Sequence, residues 1–221
     1  MASDPIVEAL SAFTACDVSD ALQKLKVPNG GFVAGITMFS PERQTGATKI
    51  VGPAYTVKYV PLSDPTPKHQ AHYIDSIPAG AVVFISSPQT PNAVFGGLMA
   101  TRAQYSKAAG TVIDGRLRDL QEHRDLGYPV FARDVSTAAP YEVAKVVGVN
   151  VPVQIKTADQ DVTIQPGDYI VADINGVVVL PKALAEEVLP LMKKQASADE
   201  KVAAALKSGM LFTEASAKFR G

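Results

Sequence analysis

The sequence contains almost no cysteine. Its single cysteine among 221 residues, Cys16, excludes an internal disulfide and any cysteine-rich metal site. This usage is typical of a reducing compartment, so we expect a cytoplasmic protein. No neighbouring base is visible for Cys16, and we therefore expect a small buried side chain rather than a nucleophile.

Long apolar runs and an excess of one charge are also missing. No run approaches the roughly 20 residues that span a bilayer, and Asp4 stands where a signal peptide would be positively charged. We therefore expect no membrane partner. The 21 basic and 22 acidic residues leave a net charge of −1 without a basic stripe, so nucleic acid is not expected as a partner either. A hydrophobic content of 47% predicts one well-cored domain, with room for an appended helical tail.

The apolar pattern predicts an α/β chain. Two short amphipathic helices are expected between residues 4 and 25, with Asp17 and Asp20 in capping roles, and another from Gly96 to Ala109, closed by Gly110. The continuous run AVVFIS at 81–86 predicts a strand covered on both faces. Further strands are expected at 50–60, 111–114, 128–132 and 151–155, with a hairpin at 170–180 turning through Asn175-Gly176. The tail from residue 181 is helical, with a break near Gly209.

Residues 81–114 form a predicted strand, helix, strand unit with parallel strands. The second strand returns the chain to where the helix began, so Gly96 and Gly97 should lie close to the segment from Asp114 to Asp119. This is the carboxyl edge of parallel strands, where open α/β sheets bind ligands.

The residue types at that edge suit a small acidic ligand. Glycines that open a helix leave backbone N–H groups for a carboxylate, Arg118 offers a two-pronged guanidinium, and Asp119 offers a hard oxygen for Mg²⁺ or Mn²⁺. The alternative is that RLRDLQEHRD begins a solvated helix, with Arg118 and Glu122 paired and Asp114 or Asp119 as its cap. Asp114 is expected to shape the turn before Gly115 or to support Arg118.

Several segments together resemble the RraA-like family, which includes 4-hydroxy-4-methyl-2-oxoglutarate aldolases and oxaloacetate decarboxylases. They are CDVSDAL, GPAYTVKY and GGLMATRAQYSKAAGTVIDGRLRDLQEHRDLGYPVFARD. The resemblance covers about Asp17 to Pro181. It implies a swivelling β/β/α sandwich in a single domain, residues 1–221, with a core at about 17–181 and a helical tail at 182–221. It also implies a homotrimer or a dimer of trimers, with sites between subunits.

The resemblance also implies the roles of individual residues. The substrate-binding backbone falls on Gly96, Gly97, Leu98 and Met99. Arg118 binds substrate, Asp119 binds Mg²⁺ or Mn²⁺, and these two are the implied catalytic residues. The implied function is a metal-dependent carbon–carbon lyase that releases pyruvate from small 2-oxo acids. The alternative is a non-catalytic protein-binding regulator, like the ribonuclease inhibitors of the same family.

One position departs from the aldolase pattern. Aldolase relatives usually carry an acidic residue 21 positions before the arginine, and Gly97 stands there in this chain. Loss of CO₂ from oxaloacetate is therefore expected ahead of aldol cleavage, which also needs a base for the C4 hydroxyl. Glu122, His123 and an acid of a neighbouring subunit, such as Glu200, are candidates to replace the missing group.

The two histidines of PKHQAHYID are expected not to bind metal. His69 and His72 stand three residues apart, but they have no matching carboxylate pattern and belong to no H-E-x-x-H motif. We expect them at the surface or behind the groups that contact the ligand.

Overall fold

The computed structural model describes residues 4–220, which form a mixed α/β domain. The helices are α1 (Pro5–Ser11), α2 (Ala15–Lys24), α3 (Gly97–Tyr105), α4 (Leu120–Asp125), α5 (Ala185–Lys207) and α6 (Phe212–Arg220). The strands are β1 (Phe32–Val33), β2 (Thr37–Ser40), β3 (Ile50–Pro61), β4 (Val82–Ser86), β5 (Ala93–Phe95), β6 (Gly110–Leu117), β7 (Val130–Val135), β8 (Ala144–Val149), β9 (Val153–Lys156), β10 (Asp161–Ile164), β11 (Tyr169–Asp173) and β12 (Gly176–Leu180). None of these helices is both long and apolar enough to cross a membrane.

The long strand β3 connects two halves of one sheet. The strand order is β1-β12-β11-β3-β4-β6-β7-β2, while β5 pairs with β6 and β8 with β3. Residues 50–53 of β3 pair antiparallel with β11, and residues 54–58 pair in parallel with β4. Strands β9 and β10 form a separate two-stranded sheet. Pro53 therefore lies where β3 changes partners.

Three apolar clusters separate the layers. Helices α1, α2 and α5 cover the outer face of β11 and β12. The middle cluster lies between that half of the sheet and the half made of β4, β6 and β7. Helix α3 covers the remaining face of the second half, through Ala100 and Ala103. This layered sandwich with C-terminal helices confirms the expected fold class.

The most apolar segments form the expected strands. All five residues of β4 are buried, and β4 pairs in parallel with β6 from Val82 opposite Gly110 to Ser86 opposite Asp114. The hairpin of β11 and β12 is also present, although it turns one residue early, because Gly176 already pairs with Asp173. The helical tail breaks at Gly209, whose φ of 91° favours glycine.

The expectations near the N-terminus are met only in part. Asp17 does help to cap α2, but as the N3 member of a capping box, because Thr14 is the N-cap. Asp20 is exposed and makes no capping hydrogen bond among the described residues. Cys16 is exposed, because Ala15 and Val18 are the residues of the first turn of α2 that face the core.

The end of α3 also differs from the prediction. The helix ends at Tyr105, Lys107 takes a positive φ of 60°, and Gly110 begins β6. A Cβ on Gly110 would lie 2.9 Å from Ile50 Cγ2 and 3.1 Å from the Pro129 carbonyl oxygen, so this glycine permits close packing rather than a helix end. Strand β6 continues past Asp114, and strands β1, β2, β5, β8 and β10 were not expected.

Candidate active site

Strands β5 and β6 end side by side and place the two halves of the site together. They pair in parallel, with Phe95 opposite Leu117, and the N–H of Arg118 donates to the Phe95 carbonyl oxygen at 2.9 Å. Gly96 and Arg118 therefore leave the sheet as neighbours. The structure brings together the glycine segment and the arginine–aspartate pair, as the strand, helix, strand unit predicts.

Gly96 makes room for both charged side chains. A Cβ on this residue would lie 2.6 Å from Asp119 Oδ2 and 3.2 Å from Arg118 Cγ. Its φ of −144° is extended, so the need for glycine comes from this contact and not from the backbone. Any larger residue at position 96 would push the arginine and aspartate away from the start of α3.

The first turn of α3 presents unpaired backbone donors. The N-cap residue Gly96 has no side chain to cap the helix, and of the first N–H groups that of Gly97 donates to Asp119 Oδ2 at 3.1 Å. The N–H groups of Leu98 and Met99 have no acceptor among residues 4–220. Because the helix dipole adds positive potential here, these two groups can bind an anion.

Arg118 and Asp119 each keep part of their side chain free. Arg118 Nε lies 3.4 Å from Asp119 Oδ2, and both side chains are about one-third exposed, at 37% and 32%. Within the described chain, neither terminal nitrogen of Arg118 nor Oδ1 of Asp119 makes a hydrogen bond. A guanidinium fork and a carboxylate oxygen are thus available at the same point.

A buried histidine supports the turn that carries this pair. Asp119 has left-handed backbone angles, with φ 60° and ψ 40°, which aspartate tolerates better than most residues. The Nε2–H of His123 donates to the Arg118 carbonyl oxygen at 2.8 Å, and the ring stacks on Phe95 at 5.7 Å. Burial lowers the pKa of His123 and favours the neutral ring. His123 therefore fixes the backbone and does not face a ligand.

A cavity of about 490 Å³ opens beside the pair. Among the described residues that line it, Asp119 is the only acid, whereas Arg118, Lys68 and Lys145 are cationic. This balance suits an anionic ligand. The remaining wall includes apolar and aromatic side chains, among them Tyr59, Tyr73, Val94, Phe95, Met99 and Val146.

The lysines and tyrosines of this wall were not foreseen, because they come from distant strands and loops. Burial raises the pKa of Tyr59 to about 12, so it stays a neutral phenol. His69 and His72 lie in the cavity wall, and His72 is exposed with Nδ1 accepting from the Ile74 N–H at 3.3 Å. Within residues 4–220, no three His, Cys, Asp or Glu side chains are grouped to hold a metal.

Asp114 does not support Arg118. Its carboxylate instead pairs with Arg133, Nε to Oδ1 at 2.5 Å, and lies inside strand β6 rather than in a turn. The alternative interpretation of the charged segment is a solvated helix with Arg118 paired to Glu122. In the described structure Arg118 pairs with Asp119 and shows no ion pair with Glu122. Asp119 precedes α4 but makes no capping hydrogen bond within the described chain.

Comparison with known proteins identifies the family of the chain. The family model described as Aldolase/RraA matches residues 15–179. The chain is 34% identical over 152 residues to a Halalkalibacterium halodurans protein named "Putative 4-hydroxy-4-methyl-2-oxoglutarate aldolase", covering 69% of each chain. It is 31% identical over 213 residues to protein DlpA of Legionella pneumophila, covering 95% of this chain but only 33% of DlpA, so it spans about a third of that relative.

Solved structures show the same fold. An uncharacterized protein from Pseudomonas syringae superposes with a TM-score of 0.86 at 30% identity, covering 99% of this chain and 95% of that one. RraAS2 of Streptomyces coelicolor, described as an unusual member of the RNase ES inhibitor RraA protein family, gives a TM-score of 0.74 at 23% identity, covering 90% and 96%. Together with the family model, which matches most of its length, these similarities show that the chain belongs to the RraA-like family.

Proposed function

We propose that this protein is a divalent-metal-dependent carbon–carbon lyase that acts on small 2-oxo acids and releases pyruvate. The observation that carries the proposal is the meeting of the Arg118 fork and a free Asp119 oxygen at the open start of α3. The cavity beside them is rich in cationic groups, with Asp119 as the one acid among its described lining residues. The aldolase name of the H. halodurans relative agrees with this reaction class.

The residues present fit Mg²⁺ or Mn²⁺ held mainly by water. Asp119 offers Oδ1, while its Oδ2 is fixed by the Gly97 N–H and Arg118. The described residues contain no three-residue protein cage for a metal, which agrees with an ion that keeps several of its waters. When bound, the metal would supply Lewis-acid stabilisation of negative charge that develops on the substrate's keto oxygen.

The protein's own groups bind and orient the substrate. Arg118 grips a carboxylate with its two free terminal nitrogens, and the N–H groups of Leu98 and Met99 add donors from the helix start. Breaking the C3–C4 bond of oxaloacetate releases CO₂ and leaves a pyruvate enolate, whose C3 then takes a proton. Retro-aldol cleavage of 4-hydroxy-4-methyl-2-oxoglutarate leaves the same enolate and a second pyruvate. Preorganised positive charge lowers the barrier of both reactions.

A homotrimer, or a dimer of trimers, with sites between subunits is part of the proposal. Two large apolar side chains of the cavity wall are exposed, Leu98 at 77% and Tyr141 at 73%, and Tyr105 at the far end of α3 is 82% exposed. Single exposed apolar residues are ordinary, but two at one site and a third on the helix that begins there favour a covering subunit. A neighbouring copy would then close the open side of the cavity.

The test is pyruvate release from oxaloacetate and from 4-hydroxy-4-methyl-2-oxoglutarate, with Mg²⁺ and with EDTA, each above the spontaneous rate. The matched variant is Asp119→Asn, because asparagine keeps the left-handed backbone and an oxygen for the Gly97 N–H. It removes the anionic ligand, so we expect roughly a 100-fold loss of kcat/KM or more with an unchanged melting temperature. Full metal-dependent turnover by Asp119→Asn would overturn the site assignment. Failure of the wild type on both substrates would favour the protein-binding regulator instead.

A further inference from the structure

The space above Gly97 is filled by the carboxyl group of Glu122. A Cβ added to Gly97 would lie 1.7 Å from Glu122 Oε2, 2.6 Å from Cδ and 2.9 Å from Cβ. Real Cβ atoms essentially never approach other atoms within 3.0 Å. The absence of a side chain at residue 97 is therefore what admits this carboxylate to the start of α3.

This carboxylate lies next to the proposed ligand-binding groups. Gly97, over which it sits, donates its N–H to Asp119 Oδ2 at 3.1 Å. Glu122 is exposed, and its carboxylate makes no hydrogen bond or ion pair with any described residue. A carboxylate that is free on the solvent side can hold a water and exchange a proton with it.

Other titratable groups are less suited to that task. His123 is fully buried, and its Nε2–H is committed to the Arg118 carbonyl oxygen. Glu200 lies on α5, which packs against α1 and α2 of the described chain, so it could reach a site only from a neighbouring subunit, whereas Glu122 already lies at the start of α3. Asp119 is the only acid among the described residues of the cavity wall, and the proposed function uses it to hold the metal.

We infer that Glu122 is the proton-carrying group of retro-aldol cleavage, acting through one water bound on the solvent side of its carboxylate; the inference rests on the proposed function. The water takes the proton of the C4 hydroxyl and passes one of its own protons to the Glu122 carboxylate, which becomes a neutral carboxyl group. The C3–C4 bond breaks, its electron pair passes to C3 and the C2 oxygen as pyruvate enolate, and C4 becomes a carbonyl. The same proton then returns through the water to C3, which restores the Glu122 carboxylate and releases both products.

The two substrates separate this role from simple binding. Loss of CO₂ from oxaloacetate has no hydroxyl proton to remove, and its enolate can be protonated by solvent water. Glu122→Gln should therefore lower kcat for 4-hydroxy-4-methyl-2-oxoglutarate by roughly 100-fold or more, the usual size of a general acid–base effect. We expect kcat for oxaloacetate and both KM values to change by less than about threefold. The matched control is Asp125→Asn, which removes an exposed carboxylate from the same helix.

Two binding and stability measurements complete the test. Oxalate resembles the enolate but has no proton to transfer, so its dissociation constant by calorimetry should be within about threefold in Glu122→Gln and wild type. The melting temperature of metal-free Glu122→Gln should also equal that of the metal-free wild type. In addition, Gly97→Asp in a Glu122→Gly background, which also removes the Glu122 Cβ that would lie 2.9 Å from the new Cβ, should restore part of the retro-aldol kcat lost in Glu122→Gly, because it returns a carboxylate to the same space from the other side.

Each contrary result points to a different failure. A wild type without metal-dependent turnover of either substrate overturns the proposed function and this inference with it. A wild type that releases CO₂ from oxaloacetate but does not cleave the aldol substrate overturns the inference alone. The inference alone also fails if Glu122→Gln slows neither reaction, slows both equally, or weakens oxalate binding.

Discussion

At the scale of single residues, the site depends on which atoms are left free. Arg118 contacts Asp119 only through Nε, which lies 3.4 Å from Oδ2, so both terminal nitrogens remain available to a ligand. A carboxylate that binds both nitrogens forms two parallel charge-assisted hydrogen bonds. An ammonium group in the same place is a point charge without this fork geometry.

Arg118→Lys should therefore lower kcat/KM for oxaloacetate by roughly 10- to 100-fold, the size expected when one charged hydrogen bond is lost. We expect both a higher KM and a lower kcat, since the arginine orients the bond that breaks. Steady-state kinetics at saturating Mg²⁺ measure this, with Arg116→Lys as the control, because Arg116 pairs with the exposed Asp134. Equal kinetics in wild type and Arg118→Lys would leave Arg118 a purely structural role.

His123 should make stability depend on pH. Burial lowers its folded-state pKa below the usual value of about 6.5, so the unfolded chain binds more protons below that pH. Its contribution is fully present above about pH 6.5 and is lost progressively as the pH falls further. Glutamine has an amide donor at a similar reach and does not titrate, so His123→Gln should show a smaller fall in melting temperature from pH 7 to pH 5.

Thermal denaturation at several pH values makes the comparison. If the melting temperature falls equally with pH in wild type and His123→Gln, another group causes the loss of stability in acid.

At the scale of secondary-structure elements, the sequence predicts best what is buried on both faces. Strands β4 and β12 are completely buried, so their apolar runs are unbroken and easy to recognise. Strand β5 has only three residues and pairs with β6, beyond α3, while β10 has only four residues, whose positions alternate exposed with half-buried or buried. Segments this short carry too little local pattern to reveal a strand, even though β10 pairs with the preceding strand β9.

The residues of the candidate site likewise divide into those that local sequence predicts and those that depend on tertiary packing. The glycines and the Arg118–Asp119 pair follow from a strand, helix, strand unit, whose geometry is regular. The position of Glu122 above Gly97 depends on how α3 packs against α4, 25 residues further along the chain. The partner of Asp114 likewise comes from the neighbouring strand β7, where Arg133 lies, and not from the adjacent Arg118.

The capping box of α2 gives a prediction at this scale. The Thr14 hydroxyl accepts from the Asp17 N–H at 3.2 Å, and Asp17 accepts from the Thr14 N–H at 2.8 Å. Thr14→Ala should lower the free energy of unfolding by about 1 kcal/mol, or roughly 2 to 4 °C in melting temperature for a chain of this size. Asp20→Asn, an exposed change in the same helix, should have less than half that effect. Equal losses would mean that the box is not formed.

At the scale of the whole molecule, the cavity beside Arg118 and Asp119 is open on one side in a single chain. The cavity of about 490 Å³ is far larger than a four-carbon diacid needs, and its rim carries exposed Leu98 and Tyr141. A small charged substrate in a wide, wet groove gains little from Arg118, because water screens the interaction. Closure by a neighbouring subunit would exclude that water and strengthen the contact.

We therefore expect light scattering to give three or six times the 23.3 kDa mass of the chain across a wide range of concentrations. Tyr105→Glu, a change at the 82% exposed residue that ends α3, should shift the protein to monomer and lower kcat/KM by about 10-fold or more, because a buried unpaired charge opposes association. Leu211→Glu, at a 64% exposed position in the C-terminal tail, is the matched control and should retain both the assembly and the activity. An active wild-type monomer would disprove the shared site, and dissociation by Leu211→Glu alone would move the interface to the tail.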